Sequence, residues 1–393
     1  MTAAYYLNEL GLVSALGTTL AETATRLFAG ESGVRPTAAF TTNDVPLGVV
    51  DAELPTLDDM PRAWRSRNNR LAWLAAQQIA PAARAAIARY GAERVAVIVG
   101  TSTSGIGESE AAIRAWHQTG ALPDTFDVVQ QELGALSAFL AHLLGAKGPA
   151  FAHSTACASG AKAMASAARL LHAGLADAVI TGGVDSLCGF TVAGFASLNL
   201  VSTRQSNPFS INRDGINIGE AAALFLMTRE EATVRLMGWG ESSDGHHFSA
   251  PDPTGRGATL AIQAAFARAQ IDAPAVEYVN LHATGTRAND EMEGAVVHAL
   301  LGNTVPVSGS KPQTGHTLGA AGALEAGLCW LTMQDTNARG ALPPHLWDGE
   351  ADPAIAPLHH VALHETLGRP PRVALSTSFA FGGANAAVLL GRS

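Results

Sequence analysis

Apolar residues fall along this chain in short blocks separated by longer alanine-rich stretches, the rhythm of strands alternating with helices in an α/β protein. In the first half, the runs 95–99 (VAVIV) and 178–181 (AVIT) predict strands, while 71–90 and 158–173 carry strong helix formers. In the second half, strands are expected at 276–281 (VEYVNL), 305–309 (VPVSG), 373–377 (VALST) and 386–390 (AAVLL). Helices are expected near 257–270, 290–301 and 319–334. No Pro/Ser-rich linker, charge block or low-complexity stretch interrupts the pattern. The chain therefore reads as two closely packed halves, 1–232 and 233–393, with the boundary near 230–236.

Composition adds three constraints. With 393 residues, 47% of them hydrophobic and 15% charged, the chain has ample material for a large core. A formal net charge of −9 argues against nucleic acid as a partner, so any basic patch must be local. The three cysteines, Cys157, Cys188 and Cys329, fit neither a disulfide framework nor a zinc knuckle, which points to a reducing cytoplasm. The opening MTAAYYLNELGLVSALG lacks a basic segment followed by a long apolar core, and no apolar run of about 18 residues occurs. Neither secretion nor a membrane span is expected.

The most informative segment is HSTACASGAKAMASAARLLHAG, residues 153–174, followed by the strand and turn LADAVITGGVDS. It places Cys157 at the start of a helix built from small residues on nearly every side, so the helix is expected to be buried all round. A helix N-terminus favours thiolate, which would make Cys157 a nucleophile. Taken alone, the same cysteine also reads as a small buried hydrophobe.

Two further strand-to-turn segments carry proton-moving residues. VEYVNLHATGTRANDEMEG ends a strand in His282 and a Thr/Gly-rich turn before acidic residues open the next helix. VPVSGSKPQTGHTLGAAGALEAG sets Lys311 and His316 in another such connection. Neither GxxxxGK[ST] nor a strand-to-helix GxGxxG with a downstream acid is present, so a phosphate loop is excluded. His246 and His247 are adjacent and no C-x-x-C pair occurs, so no metal site is expected.

A fourth segment, VALSTSFAFGGANAAVLL (373–390), is a strand, a Phe/Gly turn and a final strand whose small residues let a backbone amide approach a ligand. With STACASGAKA, NPFSINRDGINIGEAAA, HATGT, SKPQTGHTLGAAGALEA and SFAFGGAN in this order, the chain resembles the β-ketoacyl-[acyl-carrier-protein] synthases of the type I/II class. The resemblance covers most of the chain and implies a thiolase-like five-layer αβαβα sandwich of two pseudo-duplicated halves. It also implies decarboxylative Claisen condensation of an acyl group on Cys157 with malonyl-[acyl-carrier-protein].

In that reading Cys157 is the nucleophile, and His282 and His316, neutral and donating through Nε2, stabilise the enolate. Lys311 orders the network around His316, with Glu325 as a further member. The backbone amides of Cys157 and Phe381 form the oxyanion hole. Thr284 and Thr286 bind the pantetheine arm. Phe379, Phe381, Phe195 and Thr103 gate or line the acyl pocket, and the 100–108 turn and the 130–140 region approach the tunnel. Two departures stand out: Ala380 and Ala221 occupy positions where the family usually has glycine. The stretch GESSDGHHFSAPDPTGRGA resembles ketosynthases of aryl-polyene clusters.

No cofactor is expected to be permanently bound, because substrates arrive on the 4′-phosphopantetheine of acyl carrier protein. That acidic partner needs a basic surface, and residues 61–92 contain six arginines and no acid. Arg62, Arg65, Arg67, Arg70 and Arg204 are the expected docking residues. The other expected partner is a second chain, either identical or a chain-length-factor-like subunit. A non-catalytic chain-length subunit and a Cys-dependent thioester hydrolase are the alternatives. The first should lack Cys157, and the second should release free acid. A thiolase would need a second cysteine in 379–385 (FAFGGAN), and initiation-type or chalcone-type enzymes would need Asn where this chain has His316.

Overall fold

The computed structural model describes residues 4–393. Its strands are β1 (Tyr5–Ser14), β2 (Arg35–Thr37), β3 (Val45–Leu47), β4 (Val95–Gly100), β5 (Ala150–His153), β6 (Ala178–Asp185), β7 (Ala221–Thr228), β8 (Val234–Ser243), β9 (Tyr278–Asn280), β10 (Pro306–Ser308), β11 (His359–His360), β12 (Val373–Ala380) and β13 (Ala384–Arg392). The helices are α1 (Leu20–Phe28), α2 (Arg67–Tyr90), α3 (Ile106–Thr119), α4 (Gly134–Leu144), α5 (Ser159–His172), α6 (Gly189–Ser197), α7 (Arg256–Ala269), α8 (Arg287–Leu301), the single turn α9 (Lys311–Thr314) and α10 (Ala321–Thr332).

The same five-strand pattern occurs twice. In the first half the order is β5-β4-β6-β7-β1: β5, β4 and β6 are parallel, β7 is antiparallel to β6, and β1 is antiparallel to β7. In the second half β10, β9, β12, β13 and β8 repeat that order and those directions. The two sheets touch at one corner, where Tyr5 and Tyr6 face Leu236 and Arg235. The chain crosses between the halves in the connection from Thr228 to Val234.

Helices complete the layers. α2 and α4 pack on the outer face of the first sheet, and α7 covers β8 and β13 of the second. α5 and α10 lie against each other between the sheets and touch strands of both halves, giving the expected αβαβα sandwich. Every residue of α10 is buried, so an apolar surface all round is needed there. The crossing is close enough that a Cβ on Gly160 would lie 2.8 Å from the amide nitrogen of Ala323. That intimacy places the start of α5, and Cys157 before it, beside the chain leading into α10.

The expected strands are all present, with shifted ends. β1, β2, β3, β5, β7, β8 and β11 are additional. β7 reads AAALFLMT, alanines that in isolation favour helix; antiparallel pairing on both edges with β1 and β6 overrides that propensity. α2 begins at Arg67, four residues before the expected start, because the Ser66 side chain accepts the Asn69 N–H at 3.2 Å and caps the helix.

Candidate active site

Four turns at the sheet ends converge on one cavity. Cys157 lies between β5 and α5, where Ala156 adopts φ 49° and turns the chain sharply into the helix. The cysteine is buried, 5% exposed. His282 follows β9. Its amide and that of Ala283 each donate to the Glu293 carboxylate at 2.7 Å, and Glu293 also accepts from the Thr377 hydroxyl at 2.8 Å. His316 is held by its backbone: its amide donates to Asn217 O at 2.6 Å, and its carbonyl accepts from Gly219 N at 2.9 Å. The segment INIG (216–219) therefore builds the site as a clamp on the His316 turn. Phe381 follows β12.

The reacting atoms come together as the motif order implied. His316 Nε2 is 3.0 Å from Cys157 Sγ, and the Phe381 amide lies near enough to the same sulfur to favour its charged form. The rings of His282 and His316 stand perpendicular at 85°, centroids 5.3 Å apart. The sulfur and one nitrogen of each histidine lie within 4.8 Å of one another. Such donors could also hold a soft metal ion, although they come from three separate turns and form no metal-binding sequence motif. The Lys311 amine pairs with Glu325, both 2% exposed, and bonds the His282 carbonyl and, at 3.3 Å, the His282 Nδ1. Because an ammonium only donates, His282 Nδ1 is an acceptor there and its proton sits on Nε2. His316 Nδ1 has no partner among the described residues, so this network fixes the tautomer of His282 alone.

Electrostatics correct one expectation. The helix start does not hold Cys157 as a thiolate: burial pushes the thiol up to about 12, and Lys311 offsets this only in part. α5 begins at Ser159, so Cys157 precedes its first turn. Burial, then the neighbouring Lys311, holds both His282 and His316 well below the usual histidine range, so both rest neutral. Burial pushes Glu293 and Glu325 up to about 7. A resting thiol beside a neutral imidazole can pass its proton as it attacks.

The cavity has a volume of about 440 Å³. Cys157, His282, His316, Thr284, Thr286, Phe195, Phe379 and Phe381 all line it. The Thr284 and Thr286 hydroxyls are 2.9 Å apart, and the rings of Phe195 and Phe381 are 5.5 Å apart. Ala380, also on the wall, has φ −99° and ψ 158°, an extended conformation in which a Cβ costs nothing. Ala221 lies in extended β7, where the same holds.

Other expected residues lie elsewhere. Thr103 does not line this cavity; its hydroxyl and amide each bond Asp185 at 3.0 Å, and Thr101 and Ser102 bond the same carboxylate. The 100–108 turn is therefore pinned behind the site. The Arg67 guanidinium pairs with Glu220, whose side chain is fully buried. Arg70 binds the carbonyls of Pro55 and Leu54 at 2.8 and 2.9 Å. Arg62 and Arg65 are exposed, with Arg65 bonded to the Met60 carbonyl. Arg204 pairs with Asp214, a residue of the cavity wall.

Sequence reasoning missed the acids that shape the turns. Asp290 accepts from Phe209 N at 2.9 Å and Gly285 N at 3.2 Å, as Glu293 does for His282 and Ala283. It also missed walls from Leu198 to Leu200 and from Ser249 to Pro251, and Arg287 at the cavity.

Residues 10–232 match the family described as "Beta-ketoacyl synthase, N-terminal domain", and residues 233–346 match "Beta-ketoacyl synthase, C-terminal domain". The chain belongs to the β-ketoacyl synthase family. It is 31% identical over 400 residues to 3-oxoacyl-[acyl-carrier-protein] synthase 2 of Synechocystis sp., covering 96% of this chain and 95% of that one. It is 33% identical over 357 residues to Nodulation protein E of Rhizobium sp., covering 86% and 87%. Among solved structures, the ketosynthase ApeO in complex with its chain length factor ApeC from Xenorhabdus doucetiae superposes with TM-score 0.92 at 43% identity, covering 100% of this chain and 98% of that chain. No described helix is long and apolar enough to cross a membrane.

Proposed function

We propose that this β-ketoacyl synthase extends an acyl chain by decarboxylative condensation with malonyl-[acyl-carrier-protein], and that it does so in an aryl-polyene-type pathway. The observation that carries the chemistry is a buried Cys157 thiol 3.0 Å from His316 Nε2, with His282 facing the same point and its own tautomer set by Lys311. In the first step the sulfur attacks the acyl thioester carbonyl while its proton passes to His316 Nε2. The amides of Cys157 and Phe381 receive the oxyanion. Collapse expels the pantetheine sulfur, which takes the proton from His316 and leaves the imidazole neutral.

In the second step the C–C bond to the malonyl carboxylate breaks and carbon dioxide leaves. The electron pair forms an enolate whose oxygen accepts from His282 Nε2–H. The nucleophilic carbon attacks the acyl-Cys157 carbonyl, the β-ketoacyl thioester forms on the carrier, and the Cys157 sulfur departs as a thiolate that takes up one proton from solvent to restore the resting thiol. Thr284 and Thr286 give polar partners to the pantetheine arm along the cavity, and substrates carried on that arm leave the steps without a need for a resident cofactor. Carrier docking is assigned to Arg62, Arg65 and Arg204, and the setting to the cytoplasm.

The pathway reading rests on similarity to ApeO. The partner reading rests on the same relative and on surface chemistry: β5 ends its sheet with one edge unpaired, and Phe151, Ile113, Trp116, Leu133 and Phe190 are exposed. We assign these to a chain-length-factor-like second subunit, which co-purification and native mass would detect as a one-to-one complex. Cys157→Ala tests the mechanism. Intact mass should show no acyl adduct, while malonyl decarboxylation persists. An unchanged adduct would place the nucleophile elsewhere.

A further inference from the structure

The turn that delivers Lys311 leaves its sheet at Gly309, where the amide loses its ladder partner. The buried His345 supplies one: its Nδ1 accepts the Gly309 N–H at 3.0 Å, and its Nε2–H donates to the Pro208 carbonyl at 3.1 Å. Its ring is wedged by His360, stacked at 4.3 Å and 30°, by Phe209 at 5.8 Å and by Trp347 at 5.6 Å. On the other side Gly309 abuts Ala283 so closely that a Cβ would fall 2.3 Å from that residue's own Cβ. Pro208 precedes Phe209, whose amide is fixed by Asp290, the same carboxylate that holds Gly285 of the His282 turn.

We infer, on the basis of the condensing reading above, that His345 is a positioning residue that holds the Ser308–Lys311 turn against the His282 turn and so sets the Lys311 contact with His282. Burial lowers the His345 ring to about 4, so it stays neutral and Nδ1 stays an acceptor over the working range. The effect is selective. His316 lies in the same connection but is anchored separately through Asn217 and Gly219, so a loosened Gly309 disturbs Lys311 before it disturbs the His316–Cys157 pair.

The experiment separates the half-reactions. For wild type, His345→Leu, His345→Gln and His345→Asn, acyl transfer from acyl carrier protein to Cys157 is followed by intact mass, and decarboxylation of malonyl carrier protein by carbon dioxide release. Loss of both ring bonds in His345→Leu is expected to slow decarboxylation by about tenfold to a hundredfold, the scale of a misplacement near 1 Å, with loading within about twofold. His345→Gln, which can accept from Gly309 and donate to Pro208, should recover most of the rate, and the shorter Asn should not. The inference is overturned if His345→Leu changes neither half-reaction, if both fall by the same factor, or if Gln is no better than Asn. Should the Leu variant fail to fold, the Gln–Asn comparison alone decides. A wild type that fails to decarboxylate malonyl carrier protein would instead overturn the condensing reading.

Discussion

Replacing Glu325 with leucine should destabilise the protein more than replacing its partner Lys311 with methionine, although both break the same buried pair. In Glu325→Leu the Lys311 ammonium is left at 2% exposure with only the His282 carbonyl and Nδ1 as acceptors. Stranding a buried charge of this kind costs about 3–5 kcal/mol. In Lys311→Met the remaining carboxyl has an escape, because burial already pushes Glu325 up to about 7 and Lys311 was the group lowering it. Without Lys311 it takes up a proton and stays neutral. Its folded pKa then lies above the unfolded value, so the stability of Lys311→Met is greatest below about pH 4.5 and declines as pH rises through the folded value. The double variant Lys311→Met/Glu325→Leu removes both charges and should regain most of the stability while remaining deficient in malonyl decarboxylation. Urea unfolding at pH 5.5 and 7.5 measures all four proteins. A loss below about 1 kcal/mol in Glu325→Leu, or a double variant no more stable than that single one, would refute the reasoning.

Two further outcomes follow from the site and the surface. Alkylation of Cys157 by iodoacetamide, read by peptide mass, should keep accelerating from pH 7 to pH 9, since burial holds the thiol up to about 12; a plateau near neutrality would mean a resting thiolate. Charge reversal of Arg62 and Arg65 should weaken carrier binding in a salt-sensitive way and leave reaction with small thioester mimics intact, whereas Arg67→Glu should lower the melting temperature and both activities, because it leaves Glu220 buried without its partner. Equal effects in the two cases would contradict the distinction.

The reacting centre was legible because Cys157, His282, Lys311 and His316 lie in short segments whose order and neighbours are themselves distinctive. The supporting acids were not. Asp290 and Glu293 sit in the opening turns of α8, where an acid ordinarily reads as complementing the helix dipole; only the fold brings the amides of His282, Ala283 and Gly285 onto them. The intramolecular partners of Arg67 and Arg70 were hidden for a similar reason. Their run of positive charge resembles a docking surface, but Glu220, the partner of Arg67, is 153 residues away and becomes visible only when the first half folds. The Cys157 charge state was misjudged because the dipole of a following helix was weighed without the desolvation of a closed cavity. Ala380 carries no penalty, because its backbone is extended there rather than left-handed.

Decarboxylative carbon–carbon bond formation at the Cys157, His282 and His316 cluster can be read from its product. Supplying the protein with acyl carrier protein bearing a short acyl chain and with malonyl carrier protein, and measuring the carrier-bound product by mass spectrometry, tests it most directly. The expected product is a β-ketoacyl group two carbons longer than the acyl group supplied. Free acid alone, with no extended product, would contradict it.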